Sequence, residues 1–285
     1  MATADPAFAS FEEKWLQANP EQRVVAVFLE PRQRRLVHAF GKLVHELEQA
    51  IFDVREPQVA AAKLDWWHHE LAAAATGNAR HPVSRELFAQ IAIGRVEHSR
   101  WAELIGGGLA LLDPPSAPSL DAVFNTLSIF YRPVAAIESA VLDADSRQNA
   151  ANADLWISSH LLRSVALLER SERRQILPLD LLARHGLTRA TAARPGAERA
   201  GLLRDYLNAV GERLDSSLIA STRASVGRRV RARLDRDLAA KAGGGRDPLA
   251  FLGAAGANRW RTIWYAWREA RHSRARTDGG GLLTP

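Results

Sequence analysis

Between Leu36 and Ile51 the apolar residues fall at spacings of three and four: Leu36, Phe40, Leu43, Leu47 and Ile51, with Val44 beside them. A helix gathers residues at that spacing onto one face, because 3.6 residues complete a turn. The same period returns in Leu203, Tyr206, Leu207, Val210, Leu214 and Leu218. No stretch alternates apolar and polar residues for long enough to make a sheet, and no internal repeat stands out. The expectation is an all-α chain. Its 285 residues, 47% of them hydrophobic, suffice for one large bundle with a buried core.

Turn-forming residues divide the chain. Pro57 ends the first stripe, and a second helix is expected from about Gln58 to Ala75, stopped by Gly77-Asn78. Further helices are expected at 83–93, 95–112, 119–142 and 149–171, with a proline-rich loop at 112–118. A short helix at 179–184 ends at Gly186, and a last one is expected over 247–275. Gly106–Gly108 and Gly243–Gly245 read as turns or linkers. Residues 1–29 read as an N-terminal extension with a loose start, 30–276 as the domain, and 277–285 as a disordered tail.

The chain has no cysteine, so disulfides and thiolate metal sites are excluded. No basic-then-apolar leader is seen near Met1, and no apolar run is long enough to span a bilayer. A cytoplasmic protein, soluble or peripheral to a membrane, is expected. The net charge of +6 favours anionic partners. Arginines cluster late, at Arg223, Arg228, Arg229, Arg231, Arg233 and Arg236, then at Arg259, Arg261, Arg268, Arg271, Arg274 and Arg276. The simplest reading of those charges is a solvated helix face.

Most catalytic motifs are missing. There is no Gly-x-Ser-x-Gly elbow, no Gly-x-Gly-x-x-Gly and no Walker loop. Asp65-Trp66-Trp67-His68-His69-Glu70 pairs histidines with carboxylates, but adjacent helical residues point about 100° apart and do not meet at one ion. His45 with Glu48 is one pair where a bundle metal site needs several. Trp260, Trp264 and Trp267 form an aromatic stripe. Its simplest reading is a core-facing stripe with a wet basic back. The other is a helix lying on an anionic membrane surface. No recognised nucleic-acid module is present.

Several stretches, taken in order, resemble the squalene/phytoene synthase family. They are residues 36–47 with Val54-Arg55-Glu56-Pro57; 62–71 with 77–83; 158–170 with 175–182 and Gly186-Leu187; and Ala266-Trp267-Arg268-Glu269-Ala270-Arg271. The resemblance spans roughly residues 30–275. It implies a type I isoprenoid synthase fold, a single helical bundle around a central cavity. It also implies two aspartate-rich motifs whose magnesium ions hold a prenyl diphosphate during head-to-head condensation. Magnesium, a hard cation, needs oxygen ligands, and carboxylates three and four apart on a helix point at one spot.

Carried onto this chain, the first motif falls on His45, Glu46 and Gln49, where only Glu46 is a carboxylate and so the one candidate metal ligand. Glu48 lies nearby, off the pattern. The second motif falls on His160, Arg163, Ser164 and about Leu168, with Glu169 reachable by a small shift. Two readings follow. In the first, the chain keeps the bundle, lacks magnesium-dependent prenyl transfer, and acts through lipid or protein binding at a membrane surface. In the second, it is a prenyl-diphosphate transferase of isoprenoid biosynthesis, with Mg2+ as cofactor and unusual diphosphate-binding residues. The second expects Glu46, Glu48, His45, His160 and Arg163 to converge on one pocket mouth. The first expects a cavity plugged by side chains, or one with no acidic pair across it.

Overall fold

Prolines open several helices, where their missing N–H costs nothing and their fixed φ suits the first turn. Pro31 starts α3 (Pro31–Phe52), Pro57 starts α4 (Pro57–Ala75) and Pro82 starts α5 (Pro82–Gln90). Side-chain caps set other starts. Ser119 accepts from the Ala122 amide at α7 (Leu120–Val141), and Ser225 accepts from the Arg228 amide at α12 (Val226–Gly243), each at 3.2 Å. The computed structural model describes residues 6–92, 94–142, 145–168, 177–245, 247–254 and 258–279, which are helical with no strand. The remaining helices are α1 (Pro6–Ala18), α2 (Glu21–Val25), α6 (His98–Ala110), α8 (Asn149–Ala166), α9 (Leu179–Arg184), α10 (Arg189–Ala192), α11 (Ala197–Ala220), α13 (Pro248–Ala254) and α14 (Arg259–Gly279).

One continuous apolar core joins α3, α4, α6, α7, α8, α11 and α12. The expected stripe on α3 is its inner face: Leu36, Phe40, Leu43, Leu47 and Ile51 are all buried. A smaller cluster joins Val25, Leu29, Val226 and Val230 to Tyr265, Ala266 and Ala270 of α14. No helix among the described residues is long and apolar enough to cross a membrane.

Several expectations change. The described part of the segment read as a loose extension, residues 6–29, is mostly helical and packed, with Trp15, Leu16, Val25 and Leu29 buried. Trp15 lies against Gly41 of α3, in space that a Cβ there would take. Gly106–Gly108 is not a turn but the interior of α6. Pro133, inside α7, has no N–H for the Ile129 carbonyl one turn back, and a Cβ at Gly107 would collide with that carbonyl oxygen. The glycine therefore serves a close helix crossing. Likewise Gly243 ends α12 and Gly244 caps it. The expected helix at 247–275 is two helices. Asn258 starts the second, its side chain accepting from the Arg261 amide at 3.1 Å, and this helix runs past 275 to Gly279. Helix α8 stops at Ala166, short of the expected 171. Glu169, Arg170, Gln175, Ile176 and the tail beyond Gly279 lie outside the described residues.

Candidate functional site

A narrow cavity of about 40 Å³ lies between α1, α2, α3, α7, α8 and α12. A pocket of about 420 Å³ adjoins it, lined by His45, Glu48, Gln49, Phe52 and Asp53 from the end of α3 and by His160 and Arg163 from α8. The helix period explains the selection. His45, Glu48, Gln49 and Phe52 are three and four apart and share a face. Glu46 is rotated away from them. It is not among the residues lining either space, and its charged neighbours are Lys14 and Lys63. Burial raises its carboxyl pKa, against the pull of those lysines. Of the five residues expected at one mouth, the structure thus brings together His45, Glu48, His160 and Arg163, while Glu46 stands apart. The carboxylate facing the cavity is the off-pattern Glu48. Ser164 is buried one turn beyond His160, and their Oγ and Nε2 are 3.2 Å apart.

Glu48 already has partners. Tyr131, fully buried on α7, donates its hydroxyl to Glu48 Oε1 at 2.7 Å. Burial pushes the Glu48 carboxyl up, but Arg163, His160 and the Tyr131 hydrogen bond outweigh it, and the pKa lies below the usual carboxylate value. At neutral pH Arg163 and the Tyr131 hydrogen bond carry this effect, because burial pulls His160 down to about 4 and leaves it uncharged. His160 packs on Phe52 at 4.2 Å between ring centroids. Arg163 also donates to Asn19 Oδ1 at 3.2 Å.

Two other carboxylates in the cavity, Glu138 and Glu21, also have protein donors. Glu138 accepts from Trp156 Nε1 and from Ser225 Oγ, each at 2.8 Å. Glu21 accepts from Arg231 Nη1 at 3.2 Å, while Arg231 Nε donates to Asp235 at 2.9 Å. Arg228 lies over the Trp156 ring, its guanidinium carbon 3.1 Å from the centroid. Burial draws its pKa down to about 10, opposed by Glu138, so it stays charged at neutral pH. Trp15, Trp156 and Arg228 line this narrow space. Tyr131, Glu138, Trp156, Arg228, Arg231 and Asp53 were not singled out as site residues from the sequence. Only Arg228 and Arg231 left a signal, in the first arginine cluster.

The Asp65–Glu70 segment behaves as its geometry implied. Glu70 is buried and accepts from the Arg80 and His81 amides at 2.8 Å and from Ser84 Oγ, which ties α4 to the start of α5. His69 turns back to the Asp65 carbonyl on an exposed face.

Does this donor set fit magnesium? A clamp for metal-bound diphosphate needs carboxylate oxygens from facing helices. Here the two rim carboxylates, Glu48 and Asp53, come from one helix end, and Glu48 accepts from the Tyr131 hydroxyl. Across from them, the described part of α8 offers His160, Arg163 and Ser164, with no carboxylate. Among the described residues no three His, Cys, Asp or Glu side chains group to hold a metal ion. The described residues do not fit the magnesium cluster.

No protein-family model matches the chain, and none of the curated protein sequences does. Solved structures do match. The fold is the all-α isoprenoid synthase fold, in its squalene/phytoene synthase-like form. A dehydrosqualene synthase solved in complex with a ligand superposes with a TM-score of 0.70 at 12% identity, covering 94% of this chain and 97% of its own. Squalene synthase HpnC from Alicyclobacillus acidocaldarius gives 0.62 at 14% identity, with 87% and 92% covered. At these identities the likeness establishes the fold, and the chemistry has to be argued from the site.

Proposed function

We propose that this chain is a cytoplasmic protein of squalene/phytoene synthase fold that lacks magnesium-dependent prenyl transfer and acts by binding at a membrane surface. The observation that carries the first half is the internal pairing of the cavity's carboxylates. Glu48, Glu138 and Glu21 are each satisfied by protein donors. A carboxylate so held gives up those bonds if it turns to a metal ion. The second half is supported by α14, whose tryptophans face outward beside arginines.

The alternative, a prenyl-diphosphate transferase with Mg2+ as cofactor and unusual diphosphate-binding residues, draws on Arg163, Arg228 and Arg231 lining the cavity, since guanidinium groups bind phosphates well. Incubation with farnesyl or geranylgeranyl diphosphate and magnesium separates the two readings. Folded protein that releases no diphosphate and forms no apolar product agrees with the proposal. Magnesium-dependent release that is lost in Glu48→Gln overturns it.

A further inference from the structure

The outward face of α14 lies open. Trp260, Trp264 and Trp267 are 82%, 49% and 44% exposed, and Ile263 between them is 40% exposed. Spacings of three and four place these four on one side of the helix, which overturns the expectation of a core-facing stripe. The core-facing side is built differently, from Thr262, Tyr265, Ala266, Glu269 and Ala270, all buried. Small residues there let α14 pack closely on α2 and α12.

A buried ion triad fixes the rotation of the helix. Arg229 Nε and Arg233 Nε, both from α12, each stand 2.6 Å from a Glu269 oxygen. At the other end, Tyr265 donates to Asp237 Oδ2 at 2.7 Å. The tryptophans are therefore held outward.

Their surroundings are cationic. Arg259, Arg261, Arg271 and Arg274 are exposed and Arg268 is partly so. Arg268 and Arg271 lie over Trp264 and Trp267, each guanidinium carbon 4.9 Å from the ring centroid. Among the described side chains of α14 no carboxylate is exposed, since Glu269 is buried.

We infer that this face seats on an anionic phospholipid surface, with Trp260, Ile263, Trp264 and Trp267 at the headgroup–acyl boundary and the arginines on lipid phosphates. The inference rests on the membrane-surface half of the function proposed above, naming its face and lipid class, and is independent of the catalytic half. Indole rings settle at that boundary because one edge is polar and the body apolar. An arginine stacked on such a ring can lift its charged end to the phosphates while its stem stays with the ring. Arg259, Arg268, Arg271 and Arg274, with no exposed carboxylate among the described side chains of α14, complement a negative bilayer, each adding about fivefold to the affinity, while Arg261 pairs with Asp237 at 3.0 Å.

Vesicle co-sedimentation of the full chain tests this, using phosphatidylcholine alone against phosphatidylcholine with phosphatidylglycerol, with quenching of tryptophan fluorescence by brominated lipid. Binding only to the anionic vesicles, with quenching, is the expected result. Arg259→Gln with Arg271→Gln should weaken it about thirtyfold. Trp260→Ala, Trp264→Ala and Trp267→Ala together should abolish both binding and the quenched fraction while the circular dichroism stays unchanged, since all three side chains face solvent. Equal binding to neutral vesicles overturns the anionic assignment. Anionic binding that survives both sets of substitutions places the contact on another face, overturning the inference and leaving the membrane reading standing. Failure of the unaltered protein to bind either vesicle overturns both. Self-association lost in the tryptophan variant, without vesicle binding, assigns the face to a second copy of the chain.

Discussion

Replacing Glu269 with alanine should unlock α14 from the bundle. The side chain is 1% exposed and bridges Arg229 and Arg233 at 2.6 Å each. Arg229 keeps bonds to the Leu218 and Ser221 carbonyls in the variant, but both guanidinium groups lose their counter-charge in a desolvated place. Breaking a buried pair from one side costs about 3–5 kcal/mol, against a total stability of about 5–15 kcal/mol. For a chain of this size that is a fall in Tm of about 10 °C. Urea unfolding measures it directly, as a lower midpoint with an unchanged slope. Glu269→Gln keeps the volume and one acceptor, so it should lose roughly half as much. Burial pushes the Glu269 carboxyl up, but the hydrogen bonds and charges of Arg229 and Arg233 bring it below its ordinary value. The triad's contribution is then complete above the unfolded-state carboxylate pKa and fades as the pH falls through the folded one. A loss under about 1 kcal/mol, the range of exposed pairs, would refute the triad as the anchor of α14.

Three further outcomes are expected. His160 is depressed from 6.5 to about 4 by burial, so the unfolded chain takes up its proton first and stability falls as the pH drops from 6.5 toward 4. That amounts to about 3 kcal/mol, and His160→Gln should flatten this limb of the stability–pH curve. Tyr131→Phe removes the hydroxyl that donates to Glu48 at 2.7 Å and should cost about 1.5–3 kcal/mol in chemical denaturation, whether or not magnesium is present. Gly107→Ala places a methyl against the Ile129 carbonyl and should lower stability by about 1–3 kcal/mol through overpacking, although alanine is the better helix former.

The helical class, the α3 stripe and the loop at 112–118 were legible in the sequence because they depend on local period and punctuation. What depended on tertiary contact was not. Nothing local announces that Trp15 fits against Gly41 and draws residues 6–29 into the bundle. The stripe of Trp260, Trp264 and Trp267 showed a face but not its direction. The usual rule that aromatics point inward fails here because small residues and an ion triad take the inner side. At the candidate site, aligning motifs marked Glu46, yet the pocket is lined by Glu48. Two helix positions differ by about 200° in direction, and only packing decides which one looks inward. His160 and Arg163 fell on the site because their three-residue spacing matches the helix face that α8 turns to α3. The last helix was drawn as one because the capping role of Asn258 is short-range and easily lost beside a glycine- and alanine-rich run.

In the function proposed above, the cavity's carboxylates serve the fold and hold no magnesium. A thermal-shift titration with inorganic diphosphate, with and without magnesium, tests it most directly, since any ligand that binds the folded state raises Tm. The account predicts that magnesium adds nothing to whatever shift diphosphate alone produces through the arginines. A stabilisation that requires magnesium and vanishes in Glu48→Gln would contradict it.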